Sequence, residues 1–218
     1  GIKSECNIEI RQRFSIIASK LECKLKCLHE FLENVLILST CNRTEIYMES
    51  KFSREDVVNM VFKGLDWDSR LIPYTFYAED SEAVKHLIEV SCGFHSKILG
   101  EDQILGQIKN AYTAAVKAKT IKGGLERLFQ NAIACGKEFK SICEMYKIPV
   151  SVPSIAVREA LNKGCRKYMI IGFGEIGKLV LKYLESSNAE MVYIVVRDLN
   201  KIKNLCYDYK WVKFITFK

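Results

Sequence analysis

The sequence predicts an α/β protein in two parts, residues 1–147 forming one domain and residues 148–218 a second. Three observations carry this. A glycine loop, Gly172-Phe173-Gly174-Glu175-Ile176-Gly177, stands between an apolar run that reads as a strand and an amphipathic stretch that reads as a helix. A short apolar run, Val35-Leu36-Ile37-Leu38, reads as a buried strand among stretches of helical periodicity. The composition changes around Pro149 and Pro153, which places the boundary near Ile148.

In the first domain Ile8 and Ile10 alternate with polar residues, which predicts the tail of a strand running into a helix. Between Ser15 and Leu32, Ile17, Leu21, Leu25, Leu28 and Leu32 recur at helical spacing, with Lys20, Lys24 and Lys26 on the wet side. Phe52 to Leu65 predicts a helix capped by Ser53, and the aromatic run Leu71 to Tyr77 predicts a strand. Asp80 or Ser81 then caps a helix with Val84, Leu87 and Ile88 on its apolar side. His86 lies off that stripe, where a histidine is more often a satisfied structural residue than a catalytic one. A helical stripe follows from Ile104 to Ala115, and Gln103 and Gln107, one turn apart, present two amides on one face. Such a face can bind a polar ligand, although solvated glutamines are commoner. Gly123-Gly124 separates this helix from another, Leu125 to about Ile142, whose Lys137 and Lys140 could meet phosphate.

The second domain opens with a helix, Ile155 to Leu161, for which Ser154 is the expected cap. The strand Lys167–Ile171, the glycine loop, a helix to about Leu184 and a second strand Met191–Val196 then form a βαβ unit. In that setting GxGxxG is a strong dinucleotide signal: the glycines permit a tight turn and close approach of a pyrophosphate, whose charge the helix N-terminus stabilises. Arg197 ends the second strand, where an acid would bind the ribose hydroxyls of NAD. An arginine there favours the 2′-phosphate of NADP, and the adjacent Asp198 weakens that preference.

The bulk numbers exclude several classes. The apolar content of 49% and charged content of 27% are those of a globular protein. With no membrane-length apolar run and no signal-peptide layout, the chain is expected to be cytoplasmic. Nine cysteines are many, but no CxxC or zinc-type spacing occurs, so no metal site is expected. A net charge of +7 suits a polyanionic partner such as nucleic acid.

The stretch Ser39-Thr40-Cys41-Asn42-Arg43-Thr44-Glu45-Ile46-Tyr47 places Cys41 in a tight connection between two strands. Hydrogen-bonding neighbours and the charge of Arg43 would favour its thiolate. The residues alone leave two readings open, a nucleophile or a packed structural thiol.

Three blocks in order, Ser39 to Tyr47, His86-Leu87 through Gly100-Glu101-Asp102-Gln103-Ile104-Leu105-Gly106-Gln107, and the glycine loop, make the chain resemble glutamyl-tRNA reductase. The resemblance implies a ferredoxin-like α+β catalytic domain followed by part of a Rossmann-type domain. It implies NADPH-dependent reduction of glutamyl-tRNA to glutamate-1-semialdehyde through a cysteine thioester, the first step of C5 tetrapyrrole (porphyrin and haem) synthesis. It makes Cys41 the nucleophile and His86 a histidine important for activity. Thr40, Asn42, Arg43, Ser96, Glu101, Asp102, Gln103 and Gln107 would bind the glutamyl group; Gly172, Phe173, Gly174, Glu175, Ile176, Gly177 and Arg197 would bind the nucleotide. A homodimer and glutamate-1-semialdehyde aminomutase are the partners implied besides the tRNA.

Departures from the family pattern are His95 where aspartate is common, Asp102 where proline is usual, and Val196 where asparagine usually precedes the arginine. The family also has a strand before the point matching Gly1 and continues past Lys218. A fragment is therefore expected, with an uncovered apolar face on its second sheet. Two other functions compete: a non-catalytic tRNA-binding relative, and a thioester-forming aldehyde dehydrogenase acting on a free acyl substrate. The intact Cys41 motif weighs against the first; the basic charge and the block Glu101 to Gln107 weigh against the second.

Overall fold

The structure is a computed structural model that describes residues 1–40, 42–96, 102–143, 151–202 and 210–216, with Asp102, Lys201 and Ile202 described in backbone alone. The chain divides into two compact units, Gly1–Glu144 and Met145–Lys218.

The first unit runs α1 (Ile8–Phe14), α2 (Ala18–His29), β1 (Asn34–Ser39), β2 (Thr44–Glu49), α3 (Arg54–Leu65), a 3-10 turn (Ser69–Tyr74), α4 (Asp80–Cys92), α5 (Asp102–Ala118) and α6 (Gly123–Ile142). β1 is the centre of its core. Val35, Leu36, Ile37 and Leu38 are all buried because α2 and α5 both pack on this strand, which is why it reads as a continuous apolar run and not as an alternation. Thr120, just after α5, ties the strand down: the Val35 amide donates to its carbonyl at 2.7 Å and its hydroxyl donates to the Val35 carbonyl at 3.0 Å. Around β1 a single cluster includes Leu25, Leu28, Leu87, Ile108 and Phe129, all fully buried.

β1 and β2 pair antiparallel, Leu38 opposite Glu45 and Leu36 opposite Tyr47. Residues 1–3 lie between β2 and the Tyr74–Phe76 segment: Ile2 donates to the Thr44 carbonyl, Lys3 to that of Tyr74, and Phe76 to that of Gly1.

Several sequence expectations are corrected here. The Ile8–Phe14 stretch is helix, because Asn7 caps it by accepting from the Ile10 amide at 2.9 Å. The expected strand Leu71–Tyr77 is largely a 3-10 turn. Pro73 cannot donate to a ladder, the Asp68 carboxylate accepts from the Arg70 amide, and only an isolated bridge, Ile2 to Thr75, is extended pairing. Among the described residues the sheet of this unit has two strands. Ser53 does cap α3, accepting from the Asp56 amide.

The second unit runs α7 (Val152–Asn162), β3 (Lys167–Ile171), α8 (Glu175–Glu185), β4 (Met191–Val196), a 3-10 turn (Leu199–Ile202) and β5 (Val212–Thr216). Its strands are parallel in the order β3-β4-β5, and β5 has no counterpart in the sequence reading. The cap of α7 is Ser151, not Ser154. Ser154 sits at the third helical position; its amide donates to the Ser151 hydroxyl and its own hydroxyl oxygen accepts from the Ser151 amide, completing a capping box. Leu181 and Leu184 of α8 cover Ile170, Val192 and Ile194 on one face of the sheet. On β3 the alternate residues Met169 and Ile171 are 62% and 70% exposed.

Candidate functional site

Two places gather the residues singled out by sequence, one in each unit. In the first, Thr40 builds the connection between β1 and β2. Its amide donates to the Arg43 carbonyl at 2.8 Å, and its hydroxyl accepts from the amides of Asn42 (3.2 Å) and Arg43 (3.1 Å). A short hydroxyl side chain doing the work of a backbone acceptor closes this turn. Asn42 is exposed and its Oδ1 accepts from Nη1 of Arg11 at 3.2 Å, a residue that periodicity alone gave no reason to choose. Cys41, Glu101 and the side chain of Asp102 lie outside the described residues.

The turn delivers Arg43 and Glu45 inward. Glu45 is only 5% exposed, and three donors meet it: Nη1 of Arg43 lies 3.3 Å from Oε1, Nε2 of His86 lies 3.0 Å from the same oxygen, and the Tyr47 hydroxyl donates to Oε2 at 2.6 Å. Burial pushes this carboxyl up, but the His86 hydrogen bond, the Arg43 charge and the Tyr47 hydroxyl outweigh it, so Glu45 is held below the ordinary carboxylate range. The same burial and the Glu45 charge push the Tyr47 phenol well above its usual value, so Tyr47 remains a donor. An ionised carboxylate only accepts, which assigns the proton of a neutral His86 to Nε2 and leaves Nδ1 as its basic atom.

His86 comes from the middle of α4, and its ring contacts Phe76 at 5.1 Å and His95 at 4.9 Å between centroids. The His95 carbonyl accepts from Nη2 of Arg43, and its Nε2 lies 2.8 Å from Oε2 of Glu89. The His95 hydrogen bond is the largest of the influences that lower the Glu89 carboxyl. Ser96 donates from its amide to the Gly93 carbonyl. Gln103 and Gln107 are half-buried on α5, and no hydrogen bond among the described residues joins them to this network. Glu45 is the residue that sequence reading missed. Its signal was an acid, Glu45, at the start of a strand whose next three residues are Ile46, Tyr47 and Met48.

A cavity of about 640 Å³ lies against Glu45 and His86, between β2, α3 and the segment after the 3-10 turn. Phe14, Val61, Phe62 and Trp67 line it, as do Glu49 and Asp80, and among the described residues no lysine or arginine does. A group carrying carboxylate or phosphate is disfavoured there; the guanidinium side of the network suits such a group.

In the second unit Gly172 has φ +95°, and a Cβ on Gly177 would run into the Gly172 carbonyl oxygen. Gly174 precedes α8, and a Cβ there would meet nothing within 4 Å among the described residues. A tight glycine turn running into a helix N-terminus is the kind of loop on which dinucleotide phosphates are held in other folds. Phe173 packs edge-on against Phe214 at 5.3 Å, and Glu175 pairs with Lys178 at 3.1 Å. Ile176 is exposed, as is Arg197; Oδ1 of Asp198 accepts from the Asn200 amide. The seven cysteines among the described residues are all free, and no helix among them is long and apolar enough to cross a membrane.

Comparison with known proteins bears on both places. Residues 3–143 match the sequence model of the glutamyl-tRNAGlu reductase N-terminal domain, and residues 155–218 match that of shikimate/quinate 5-dehydrogenase. A glutamyl-tRNA reductase of Clostridium kluyveri is 62% identical over all 218 residues, which cover 55% of that protein. One of Clostridium botulinum (strain Alaska E43) is 48% identical over 95% of the chain and 52% of its own length. The solved glutamyl-tRNA reductase from Methanopyrus kandleri superposes with a TM-score of 0.67 at 25% identity, over 99% of this chain and 52% of that one. The chain thus spans about half the length of the relatives it matches. Because the family match takes in the Thr40 turn, Glu45, His86 and His95 together, the chain belongs to the glutamyl-tRNA reductase family.

Proposed function

We propose that this chain carries the acyl-transfer site of an NADPH-dependent reductase that converts glutamyl-tRNA to glutamate-1-semialdehyde, with Cys41 as the nucleophile. The observation that carries the reading is the arrangement of Arg43 and His86 on one buried carboxylate, Glu45, immediately after the turn that contains position 41. An ester is a poor hydride acceptor. Attack by a thiolate on its carbonyl carbon forms a C–S bond, breaks the C–O bond to the ribose, and releases tRNA as the free hydroxyl. The thioester left on Cys41 is a better acceptor. In this reading Nδ1 of His86 holds or delivers the proton that the sulfur gives up and the ribose oxygen takes, its ring oriented by Glu45.

Arg43 offers a guanidinium fork, two of whose donors are spent on Glu45 and the His95 carbonyl. Those contacts hold it rigid so that its remaining N–H groups can meet the glutamyl carboxylate. Asn42, Ser96, Glu101, Asp102, Gln103 and Gln107 complete the substrate site in this proposal, while Thr40 serves it by shaping the turn. The loop Gly172–Gly177 would hold NADPH, whose chemistry there would be hydride donation. The open face of Gly174 supports that fit, and so does the exposed Arg197 beside an Asp198 already engaged by the Asn200 amide, the arrangement a 2′-phosphate favours.

The net charge of +7 supports a tRNA-borne substrate. The hairpin β1–β2 and the bridge Ile2 to Thr75 support a ferredoxin-like reading of the first unit. A homodimer and docking of the aminomutase that consumes the semialdehyde are part of the same proposal. The test is discharge of radiolabelled glutamyl-tRNA: the chain is expected to release the ester-linked glutamate, and tRNA that stays fully charged would overturn the reading.

A further inference from the structure

α4 ends at Gly93, whose φ of 85° is left-handed, with the Gly93 amide donating to the Val90 carbonyl and the Phe94 amide to that of Glu89. This paired-bond ending turns the chain back over the last turns of the helix it has just left. The residue it sets down there is His95. Its ring lies 4.9 Å from that of His86 at an interplanar angle of 42°, and its Nε2 is fixed 2.8 Å from Glu89, one turn along α4 from His86. Its carbonyl receives Nη2 of Arg43. The contacts therefore close on themselves: Arg43 to Glu45, Glu45 to His86, His86 to His95, and His95 back to Arg43.

We propose that His95 is a positioning residue of the acyl-transfer site, packing its ring against the His86 imidazole and holding the Arg43 guanidinium with its carbonyl. Glu45 fixes only the edge of the His86 ring, through Nε2, which leaves rotation about that hydrogen bond open. A tilted ring packed against it at 4.9 Å, with Phe76 against the ring as well, restricts that freedom and fixes the direction of Nδ1. Glu89 anchors the ring of His95, and Lys85, 3.9 Å from the other oxygen of Glu89, is the further charge on that anchor. The aspartate of the family pattern has no ring with which to do this. His95 acts through His86 and Arg43 and is not assigned a contact with substrate.

This rests on the function proposed above, and the test separates the two. Single-turnover discharge of glutamyl-tRNA is measured for the parent, His95→Ala and His95→Phe, with His86 ring resonances followed by NMR in the same chains. His95→Ala is expected to lower the maximal discharge rate about tenfold while the half-saturating glutamyl-tRNA concentration moves less than about threefold. His95→Phe, which restores a ring, is expected to recover most of that rate, and the His86 resonances should move in the alanine variant and return towards the parent in the phenylalanine one. Parent-like discharge by His95→Ala, or no recovery with His95→Phe, overturns the proposal. If the parent itself does not discharge glutamyl-tRNA, the functional reading falls, and unmoved His86 resonances in His95→Ala would overturn the positioning role independently.

Discussion

Glu45→Ala is the perturbation to which the first unit should be most sensitive. The substitution leaves Arg43, His86 and Tyr47 without the carboxylate on which all three converge, and the Arg43 side chain is only 10% exposed. Removing one partner of a buried ion pair costs about 3–5 kcal/mol, because the remaining charge loses its compensation. For a unit spanning Gly1–Glu144, a loss of that size lowers the melting temperature by about 10–15 °C. Calorimetry of the parent, Glu45→Ala and Tyr47→Phe gives an internal scale. Tyr47→Phe removes one donor and leaves Glu45 with two, so it should cost about 1–2 kcal/mol. A Glu45→Ala variant that melts within about 3 °C of the parent would show that the three donors find other partners, and the network would not be the structural centre of the site.

The same carboxylate sets an acid dependence: its folded value lies below its unfolded one, so its contribution is present above about pH 4.3 and is lost as pH falls through the folded value. Glu45→Gln should flatten the pH–stability curve of the first unit on that acid side, measured by urea melts; an unchanged slope would contradict the assignment. Gly177→Ala should disrupt the second unit, since its Cβ would meet the Gly172 carbonyl oxygen, a backbone atom that cannot swing aside. Its expected signature is lost NADPH fluorescence enhancement with the melting of the first unit unchanged, and parent-like NADPH binding would refute it.

How much of this was legible in the sequence depended on how local each cause is. The glycine loop was readable because turn, close approach and helix start are encoded within six neighbouring residues, Gly172 to Gly177. Ser53 was readable because a cap acts three residues ahead. The run from Leu71 to Tyr77 misled because its aromatic composition outweighed Pro73 and the side chain of Asp68, which together favour a 3-10 turn. Ser151 was missed in favour of Ser154 because a capping box contains two serines, and the one further from the helical stripe is the cap. The site was the least legible part. Glu45 and His86 lie 41 residues apart on a strand and a helix, and nothing in either segment announces the other. Read locally, His86 looked structural. Its partners give it a defined tautomer, and only the fold brings them to it.

The central claim is that a nucleophile at position 41 takes the glutamyl group from its tRNA. Intact-mass spectrometry of the chain after brief exposure to glutamyl-tRNA without NADPH tests it most directly. The account predicts a single glutamyl adduct that peptide mapping places on Cys41 and that is missing from Cys41→Ser. An adduct formed equally by Cys41→Ser would contradict it.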